Sequence, residues 1–454
     1  MKKVLCLILV FVICLLILPG CGNNATENTA AQPQEESTEP AEQAAPKTFR
    51  SRYVELKDGG LTTELKNGIT VGDDLFFTSM GVTADNTPDG VAPEWPEQYY
   101  SYGPILCKVG LDGSVARIPY TPGASDTDDQ ETDNVVFEKL CASNSGTLWI
   151  LEKRSGSGRD GTVIEGESGT EVSSDLHGGE RYALVNVAED GNVVKQFLLD
   201  DLGNHGEAQA DSGGEYSLDV RGLAQAVDGA LCLAVSEWFI GTASFVEENR
   251  ICLYDPESGL LKNSVSMTNA PEQLAALQDG SVAVSSYEGG SQIVELLDPE
   301  TGNFDHVIPV KDFIDSMICS RDTEAYPVFY SAGDSLYGLD PMSGEIGRIL
   351  NWIDCDVARS GTESICVLGD GTIVTTSSRQ TGGDTENELI LISAEEDNQE
   401  AQRKTLRMAV MNLYPFTSEM VSRFNRSNSE YRIEVTDYAQ YNDYSSNNEE
   451  DWYA

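Results

Sequence analysis

The segment Ile251-Cys-Leu-Tyr-Asp-Pro-Glu-Ser-Gly259 decides the fold, because its pattern returns twice further along the chain. The returning signature, Asp-Pro-x-Ser/Thr-Gly, begins at Asp255, Asp298 and Asp340, which gives a period of about 43 residues. In each copy an apolar run predicts a buried strand. The Asp-Pro pair that follows predicts a tight turn, and the closing Gly supplies the left-handed conformation that ends it.

A period of this length, built from short strands and turns, indicates a β-propeller. One such sheet cannot bury both of its faces, and stacking several sheets around an axis covers them. Further Gly turns, usually Asp-Gly, lead into strands in four segments: 145–151, 227–233, 277–284 and 368–374. The sequence therefore predicts a mainly β fold, with a propeller of six to eight blades and a best estimate of seven, over residues 50–403. Polar, acidic stretches at 121–134, 154–180 and 203–215 are interpreted as surface insertions.

The amino-terminal segment has the pattern of an export signal. Lys2 and Lys3 precede an apolar run from Val4 to Leu18, which is shorter than the roughly 20 residues that span a bilayer. Leu18-Pro-Gly-Cys21 resembles the bacterial lipobox, which implies removal of residues 1–20 and attachment of lipid to Cys21. Residues 21–49 are rich in Ala, Thr, Glu, Gln and Pro and are predicted to form a disordered tether. The expected location is the extracellular face of the cell membrane, held by the lipid.

Charge and cysteine content narrow the possible partners. A net charge of −46 argues against nucleic acid, because phosphate binding depends on Lys and Arg. The cysteines show no spacing typical of a zinc site, so no metal is expected. Five of them lie in apolar strand patterns and are interpreted as small buried core residues rather than disulfide partners: Cys107, Cys141, Cys232, Cys252 and Cys366.

The sequence shows no recognisable catalytic motif. Its three histidines are His177, His205 and His306, and none belongs to an HExxH pattern; there is no GxSxG elbow and no phosphate loop. On this basis we predict that the chain is not an enzyme. The segment Leu336-Tyr-Gly-Leu-Asp340 resembles the quinoprotein-type propeller repeat. The Trp that generally follows the turn in quinone-binding members is absent here, so the prediction is a propeller without a cofactor.

The chemistry of the chain changes after the acidic joint at residues 395–403. Leu406, Met408 and Val410 alternate as one face of a strand, a helical pattern follows from Phe416, and alternation returns at residues 431–435. This strand–helix–strand order predicts the start of an α/β domain over residues 404–454.

This tail resembles the opening of an extracellular solute-binding protein of an ABC importer. The matching residues are Leu406-Arg-Met-Ala-Val410, the Phe424-Asn end of the helix, and Tyr431-x-Ile-x-Val435. The resemblance implies a periplasmic-binding-protein-like domain, incomplete within this chain, whose first loop faces a ligand. It makes Asn412 and Tyr414 the candidate ligand-binding residues, since Tyr414 could stack on a sugar.

The expected function is thus the solute-binding component of an ABC importer, with a carbohydrate or other small-molecule ligand, permease subunits as partners, and the propeller as binding or spacer module. Two alternatives stay open. The first is an interaction scaffold of the cell envelope. The second is a propeller enzyme that acts on polysaccharide, since residues 143–149 weakly resemble the Asp-containing box of sialidases but lack its Asp.

Overall fold

The structure is a computed structural model, and one of its two compact units, Lys47–Ala454, contains all the residues described here. The described residues are 48–57, 61, 63–85, 100–122, 134–155, 180–199, 201–202, 215–240, 245–310, 313–319, 326–358, 364–381, 384–395 and 403–438. The predicted signal peptide, Cys21, almost all of the predicted tether, His177 and His205 lie outside them. No helix in these ranges is both long and apolar enough to cross a bilayer.

Six antiparallel sheets of four strands make up most of the described chain. The strands of blades one to three are β2 (Lys66–Val71), β3 (Asp74–Asp85), β4 (Tyr100–Val109) and β5 (Val115–Arg117); β6 (Asn134–Ala142), β7 (Leu148–Ser155), β8 (Glu180–Val187) and β9 (Val193–Leu198); β10 (Glu215–Gln225), β11 (Leu231–Ile240), β12 (Phe245–Tyr254) and β13 (Leu261–Met267). In these three blades the strands follow one another across the sheet in chain order, so each strand pairs in an antiparallel manner with the next.

Blades four to six repeat the arrangement, with one exception at the end. Their strands are β14 (Pro271–Ala276), β15 (Val282–Glu288), β16 (Ser291–Asp298) and β17 (Asn303–Pro309); β18 (Ile314–Cys319), β19 (Val328–Ala332), β20 (Ser335–Asp340) and β21 (Glu345–Asn351); β22 (Ile365–Val367), β23 (Ile373–Thr381), β24 (Asp384–Glu395) and, from the start of the chain, β1 (Thr48–Glu55). β1 pairs along its whole length with β24, from Thr48 opposite Glu395 to Glu55 opposite Glu388.

The six sheets form a closed ring. The first strands of successive blades contact one another in the order β2, β6, β10, β14, β18 and β22, and β22 contacts β2. This confirms the predicted β-propeller. Its blade number, six, is the lower end of the predicted range and one fewer than the best estimate, because the start of the chain completes the last blade instead of forming another.

The repeated Asp-Pro signature forms the turn between the third and fourth strands of blades three, four and five. In each copy the Gly N–H donates to the Asp carbonyl oxygen at 2.8 Å, as between Gly259 and Asp255. The glycines have φ values of +69°, +71° and +73°. The Asp carboxylate accepts backbone N–H groups two and three residues on; for Asp255 these distances are 2.8 and 2.9 Å. The predicted turn chemistry is confirmed.

The apolar cores lie between neighbouring blades. One cluster joins Leu151 and Leu184 of blade two to Leu233 of blade three, and all three side chains are fully buried. The five cysteines predicted to be core residues are buried and unpaired, and Cys355 joins them. Covering one sheet with the next buries both faces of the inner strands, and each fully buried Leu contributes about 1.5–3 kcal/mol.

The carboxyl-terminal segment is a strand, a helix and a strand, as predicted. β25 (Lys404–Val410) pairs in parallel with β26 (Tyr431–Asp437), and helix α1 (Pro415–Ser427) connects them. Pro415 occupies the first turn of the helix, where a missing N–H costs no hydrogen bond. The buried positions of α1 are the polar Ser418, Ser422 and Asn425 together with Val421, whereas Phe416 and Met420, which the helical spacing of apolar residues would place on a buried face, are exposed.

Two of these side chains, Ser422 and Asn425, bind the propeller at Asp356. Asp356 follows a short 3-10 turn and adopts the left-handed conformation (φ +60°), which is uncommon for a residue other than Gly. The carbonyl oxygen of Asp356 accepts the hydroxyls of Tyr53 at 2.8 Å and Ser422 at 2.5 Å. Its carboxylate accepts Asn425 at 2.8 Å and Arg432 at 3.1 Å. One residue of the propeller therefore binds the helix, β26 and the closing strand β1.

Arg426 strengthens this contact from the outer face of α1. Its guanidinium lies 3.4 Å from the centre of the Tyr53 ring and donates to Glu388 at 3.0 Å. Tyr53 belongs to β1 and Glu388 to β24, which are the two strands that close the ring. The carboxyl-terminal segment thus docks directly on the closure of the propeller.

Candidate functional site

A cavity of about 780 Å³ occupies the middle of the ring, and all six first strands line it. Its lining includes backbone from every blade together with a set of charged and amide side chains: Asn67, Lys139, Asp219, Arg221, Glu272, Gln273 and Asp315. A concave site of this volume lies within the range of small-molecule pockets. It is the candidate site of the propeller.

A β-bulge at equivalent positions of four first strands explains why charged residues gather there. The register against the second strand skips one residue in each of blades two to five: Glu138, Arg221, Glu272 and Asp315. In blade one the register shifts across Asn67, which has φ +50°, and Gly68. A bulge turns its extra side chain away from the regular alternation and is common beside functional sites. Four of these five bulges place a polar side chain in the cavity lining; Glu138 is the exception.

Arg221 connects blades three and four at the position of the bulges. Its Nε donates to the Asp219 carboxylate on the same strand at 2.9 Å, and its Nη1 donates to Glu272 of blade four in a short hydrogen bond. Hydrogen bonds between a guanidinium and carboxylates are among the stronger ones in proteins. The arrangement fixes two acids and one base in position around the opening.

Gln273 forms the corresponding connection between blades four and five. Its Nε2 donates to the carbonyl oxygen of Asp315 at 2.9 Å, and its Oε1 accepts the backbone N–H of Met317 at 2.5 Å. With both ends of the amide engaged, the side chain is held in one orientation. The lining of the site is therefore preorganised on this side of the cavity.

Lys139 differs from the other charged residues of the lining. It is half-buried, and no hydrogen bond or ion pair of its ammonium occurs within the described ranges. Burial lowers the pKa of Lys139, and the nearby carboxylates of Asp219 and Glu138 oppose that shift only in part. An amine of this kind is a stronger candidate for ligand contact than the fully paired Arg221.

An aromatic pair lies beside these acids. The rings of Tyr287 and Phe313 are 5.8 Å apart, and 55% of Phe313 is exposed. Burial raises the pKa of Tyr287, and the charges of Glu272 and Asp315 raise it further. Exposed aromatic faces are suited to stacking on a flat apolar side of a ligand.

The candidate residues from the sequence lie elsewhere. Asn412 and Tyr414 occupy the loop between β25 and α1, at the carboxyl end of the parallel strands, and both are exposed. The residue between them, Leu413, is buried, and its N–H donates to Asp437 at 2.7 Å, which fixes the base of the loop. Neither candidate is part of the cavity lining.

Sequence reasoning missed the charged residues of the cavity lining, which we call the mouth of the cavity: Lys139, Asp219, Arg221, Glu272 and Asp315. One signal was available: a charged residue stands two positions before an apolar one at the start of successive blades, in Arg221-Gly-Leu223, Glu272-Gln-Leu274 and Asp315-Ser-Met317. Glu272 and Asp315 are separated by about the period of the turns, whereas Arg221 and Glu272 are further apart. Of the other candidates, His306 lies in β17, and no group of three or more His, Cys, Asp or Glu in the described ranges is placed to hold a metal ion.

No family model and no curated protein matches the chain. Its fold is similar to that of virginiamycin B lyase from Staphylococcus aureus, with 11% identity over 76% of this chain and 99% of the other, at a TM-score of 0.36. It is also similar to Trypanosoma rangeli sialidase, with 12% identity over 75% and 58% and a TM-score of 0.41, and to puromycin hydrolase, with 13% over 74% and 53% and a TM-score of 0.34. Likenesses this distant show the fold alone.

The prediction that the chain is not an enzyme does not hold: it rested only on the lack of a catalytic motif, and solved propellers of this fold include enzymes by name, such as virginiamycin B lyase. The physical reason is the way a propeller builds its site. Lys139, Arg221, Glu272 and Asp315 come from four different blades, so no short motif can reveal their meeting. The lack of a catalytic motif in the sequence therefore does not exclude catalysis, and no reaction of a distant relative is transferred to this chain.

Proposed function

We propose that the chain is a cell-surface lipoprotein that acts as the solute-binding component of an ABC importer for carbohydrate. In this proposal lipid on Cys21 holds it to the outer face of the membrane. The propeller is a binding module, and permease subunits receive the solute. The solute-binding and importer parts rest on the resemblance of the tail.

The observation that carries the proposal is the geometry of the carboxyl-terminal segment. β25 and β26 are parallel neighbours joined by one helix, so the loop with Asn412 and Tyr414 lies outside the carboxyl ends of the strands. Ligands of open α/β sheets bind at this edge. Tyr414 is 64% exposed there, and the Leu413–Asp437 hydrogen bond holds its loop.

The central cavity supports a second contact with the same kind of solute. Carboxylate, amide and guanidinium groups accept and donate hydrogen bonds to hydroxyls, and the aromatic pair of Tyr287 and Phe313 can cover the apolar face of a sugar ring. A solute with many hydroxyls matches both places better than an apolar one.

Calorimetric titration of the purified full-length chain with a panel of neutral and acidic monosaccharides and disaccharides tests the proposal. We expect at least one sugar to bind, and Tyr414→Ala to weaken its binding about tenfold, since stacking contributes on the order of 1 kcal/mol or more. Tyr102→Ala is the matched control, because Tyr102 is 48% exposed on blade one. A chain that binds no sugar, or that binds equally well with Ala at 414, contradicts the proposal.

Attachment and partnership need a separate experiment. We expect the wild-type chain in its host to fractionate with membranes and to carry radiolabelled fatty acid, and Cys21→Ser to lose both. Cross-linking on intact cells should then recover permease subunits with the wild-type chain. Unlabelled Cys21 would contradict the anchor, and the absence of permease subunits would contradict the importer.

A second candidate, an interaction scaffold, is favoured by one observation. The carboxyl-terminal segment exposes several large apolar side chains, namely Leu406, Met411, Tyr414, Phe416, Met420 and Tyr438. Concentrated apolar exposure marks surfaces that bind other proteins. Stable complexes with an envelope protein, together with no sugar binding, would favour this function.

A further inference from the structure

Lys139 is the starting point, because a half-buried ammonium without a partner is costly. It stands directly after the bulged Glu138 and opposite Leu151 of β7, among the residues that line the cavity. No side chain in the described ranges forms a hydrogen bond or an ion pair with it. Charges withdrawn from water are normally paired. The position therefore lacks an anion.

The acids near Lys139 do not fill that role. Asp219 and Glu272 both accept hydrogen bonds from the guanidinium of Arg221, which compensates part of their charge. Glu138 belongs to the same strand as Lys139 but is not part of the cavity lining. The carboxylates of Asp219 and Glu272 are thus already hydrogen-bonded to Arg221, and Glu138 lies outside the cavity lining.

The same lining offers acceptors for hydroxyl groups. A carboxylate has about four lone-pair positions, so Asp219 and Glu272 can hold Arg221 and still accept further hydrogen bonds. Asp315 of the lining adds another carboxylate. One cation beside several acceptors is complementary to a molecule that carries one carboxylate and several hydroxyls.

We propose that the mouth of the cavity binds a sugar acid, with its carboxylate on the Lys139 ammonium and its hydroxyls on the carboxylates of Asp219, Glu272 and Asp315. This inference rests on the proposed function in one respect, namely that the solute is a carbohydrate. A neutral sugar could offer the ammonium only hydroxyl oxygens, which accept a hydrogen bond but bring no compensating charge.

The test compares matched pairs of probes with the full-length chain by calorimetry: D-glucuronate against D-glucose, and D-galacturonate against D-galactose. We expect the acid of at least one pair to bind about tenfold more tightly or better, which corresponds to about 1.4 kcal/mol. Lys139→Met should abolish this preference by weakening the binding of the acid more than that of the neutral sugar. Lys139→Arg should retain part of the preference.

Lys262→Met is the control variant, because Lys262 is exposed and pairs with Asp255 at a blade turn. It should bind like the wild type, and thermal unfolding of the Lys139 variants verifies that they fold. Equal affinity of the wild type for acid and neutral sugar overturns the inference alone, as does a preference that survives Lys139→Met. Binding of no sugar at all overturns the proposed function together with it.

The pH dependence gives a second readout. The groups that act on Lys139 are Glu138 on its own strand, Asp219 and Arg221 of blade three, and Glu272 of blade four. Because burial lowers the pKa of Lys139, its positive charge is lost at a lower pH than that of an ordinary lysine. Binding of D-glucuronate should therefore weaken as the pH rises through that pKa, while binding of D-glucose should stay constant. A flat profile for D-glucuronate overturns the inference.

Discussion

The propeller and the carboxyl-terminal segment differ in how far their strands are buried. An inner strand of the propeller is covered on both faces by neighbouring blades, and residues 148–152 of β7 are all buried. In β25 no residue is fully buried, and only Met408 and Val410 are half-buried. The segment has a cluster of three buried apolar side chains, Leu413, Val421 and, from the propeller, Ile353.

This difference shows where each region obtains its stability. The propeller is stabilised by apolar area, which is non-directional and adds up over many side chains. The carboxyl-terminal segment depends on a few directional contacts, namely the hydrogen bonds to Asp356 and the contacts of Arg426 with Tyr53 and Glu388, and on a small apolar cluster with Ile353. Within the described residues, the cluster to which the segment contributes contains only two of its own buried apolar side chains, Leu413 and Val421. We therefore expect the segment to lose its structure without the propeller, and the propeller to survive without the segment.

The largest effect should follow from a cavity in the propeller. Leu233→Ala removes a fully buried side chain between blades two and three and should lower the free energy of unfolding by about 2–5 kcal/mol. Denaturant unfolding followed by tryptophan fluorescence measures it. Leu260→Ala, at a position 69% exposed, is the control and should change stability by no more than about 0.5 kcal/mol. Equal losses in the two variants would contradict the interpretation of the core.

The second-largest effect is expected for Asn425→Ala, which removes part of the contact between helix α1 and Asp356. The amide of Asn425 donates to Asp356 at 2.8 Å and to Ile433 at 2.9 Å, and its oxygen accepts the Ile433 N–H at 2.7 Å. Losing these bonds at a buried position should cost about 1–3 kcal/mol. Hydrogen exchange should show the loss in residues 403–438 and leave the blades protected.

The exposed Asn303→Ala serves as the control for that experiment. Faster exchange in blades two to four of the Asn425 variant would mean that the two regions unfold as one unit. The propeller and the carboxyl-terminal segment would then not be stabilised independently of each other.

A smaller and graded effect is expected at the repeated turns. Gly344→Ala forces a left-handed conformation on Ala in open space and should cost about 1–2 kcal/mol. Gly259→Ala has the same φ penalty, and its new methyl group would also meet the Phe197 ring, so it should cost more. Thermal unfolding of the pair measures the difference. Equal values would mean that the Phe197 ring moves aside freely.

The smallest effect should be seen in thiol labelling of the native chain. Burial raises the pKa of the Cys107 and Cys366 thiols to about 12, and it also raises that of Cys252, so the reactive thiolate is scarce at pH 8. All six buried cysteines belong to the propeller, and residues 403–438 contain none. Mass spectrometry after alkylation should find them unmodified in the wild type and in Asn425→Ala, and modified faster in Leu233→Ala. Rapid labelling of the Asn425 variant would contradict independent opening of the tail.

The part of the fold that the sequence revealed is the part that depends on local chemistry. Asp255, Asp298 and Asp340 mark turns because Asp, Pro and Gly restrict the backbone within five residues, and all three turns form as predicted. The strand–helix–strand order of the tail followed from periodicity in the same way. Blade number was harder, because the first two blades extend from Lys66 to Leu198 and greatly exceed the repeat period.

The candidate site could not be predicted from the sequence because its geometry depends on the register between paired strands. Whether Arg221 and Glu272 follow the alternation of their strands or interrupt it is decided by pairing with a second strand, which composition does not show. Their contact also joins two blades about 50 residues apart in the chain. Lys139 could not be identified from the sequence either, because its lack of a partner becomes visible only when the structure places its neighbours around it.

The pairing of β1 with β24 has a consequence for biosynthesis. A polypeptide emerges from the ribosome with its amino end first, so Thr48–Glu55 becomes available long before Asp384–Glu395. Until then β1 has no partner strand, and its unpaired backbone groups are the kind of surface on which aggregation and proteolysis act. Bringing together segments so distant in the chain is slow, since the entropy of a long loop must be overcome first. Folding of the propeller is therefore completed only after residues 384–395 have been delivered. Helix α1, which binds Tyr53 and Glu388, follows directly in the chain and secures that final step.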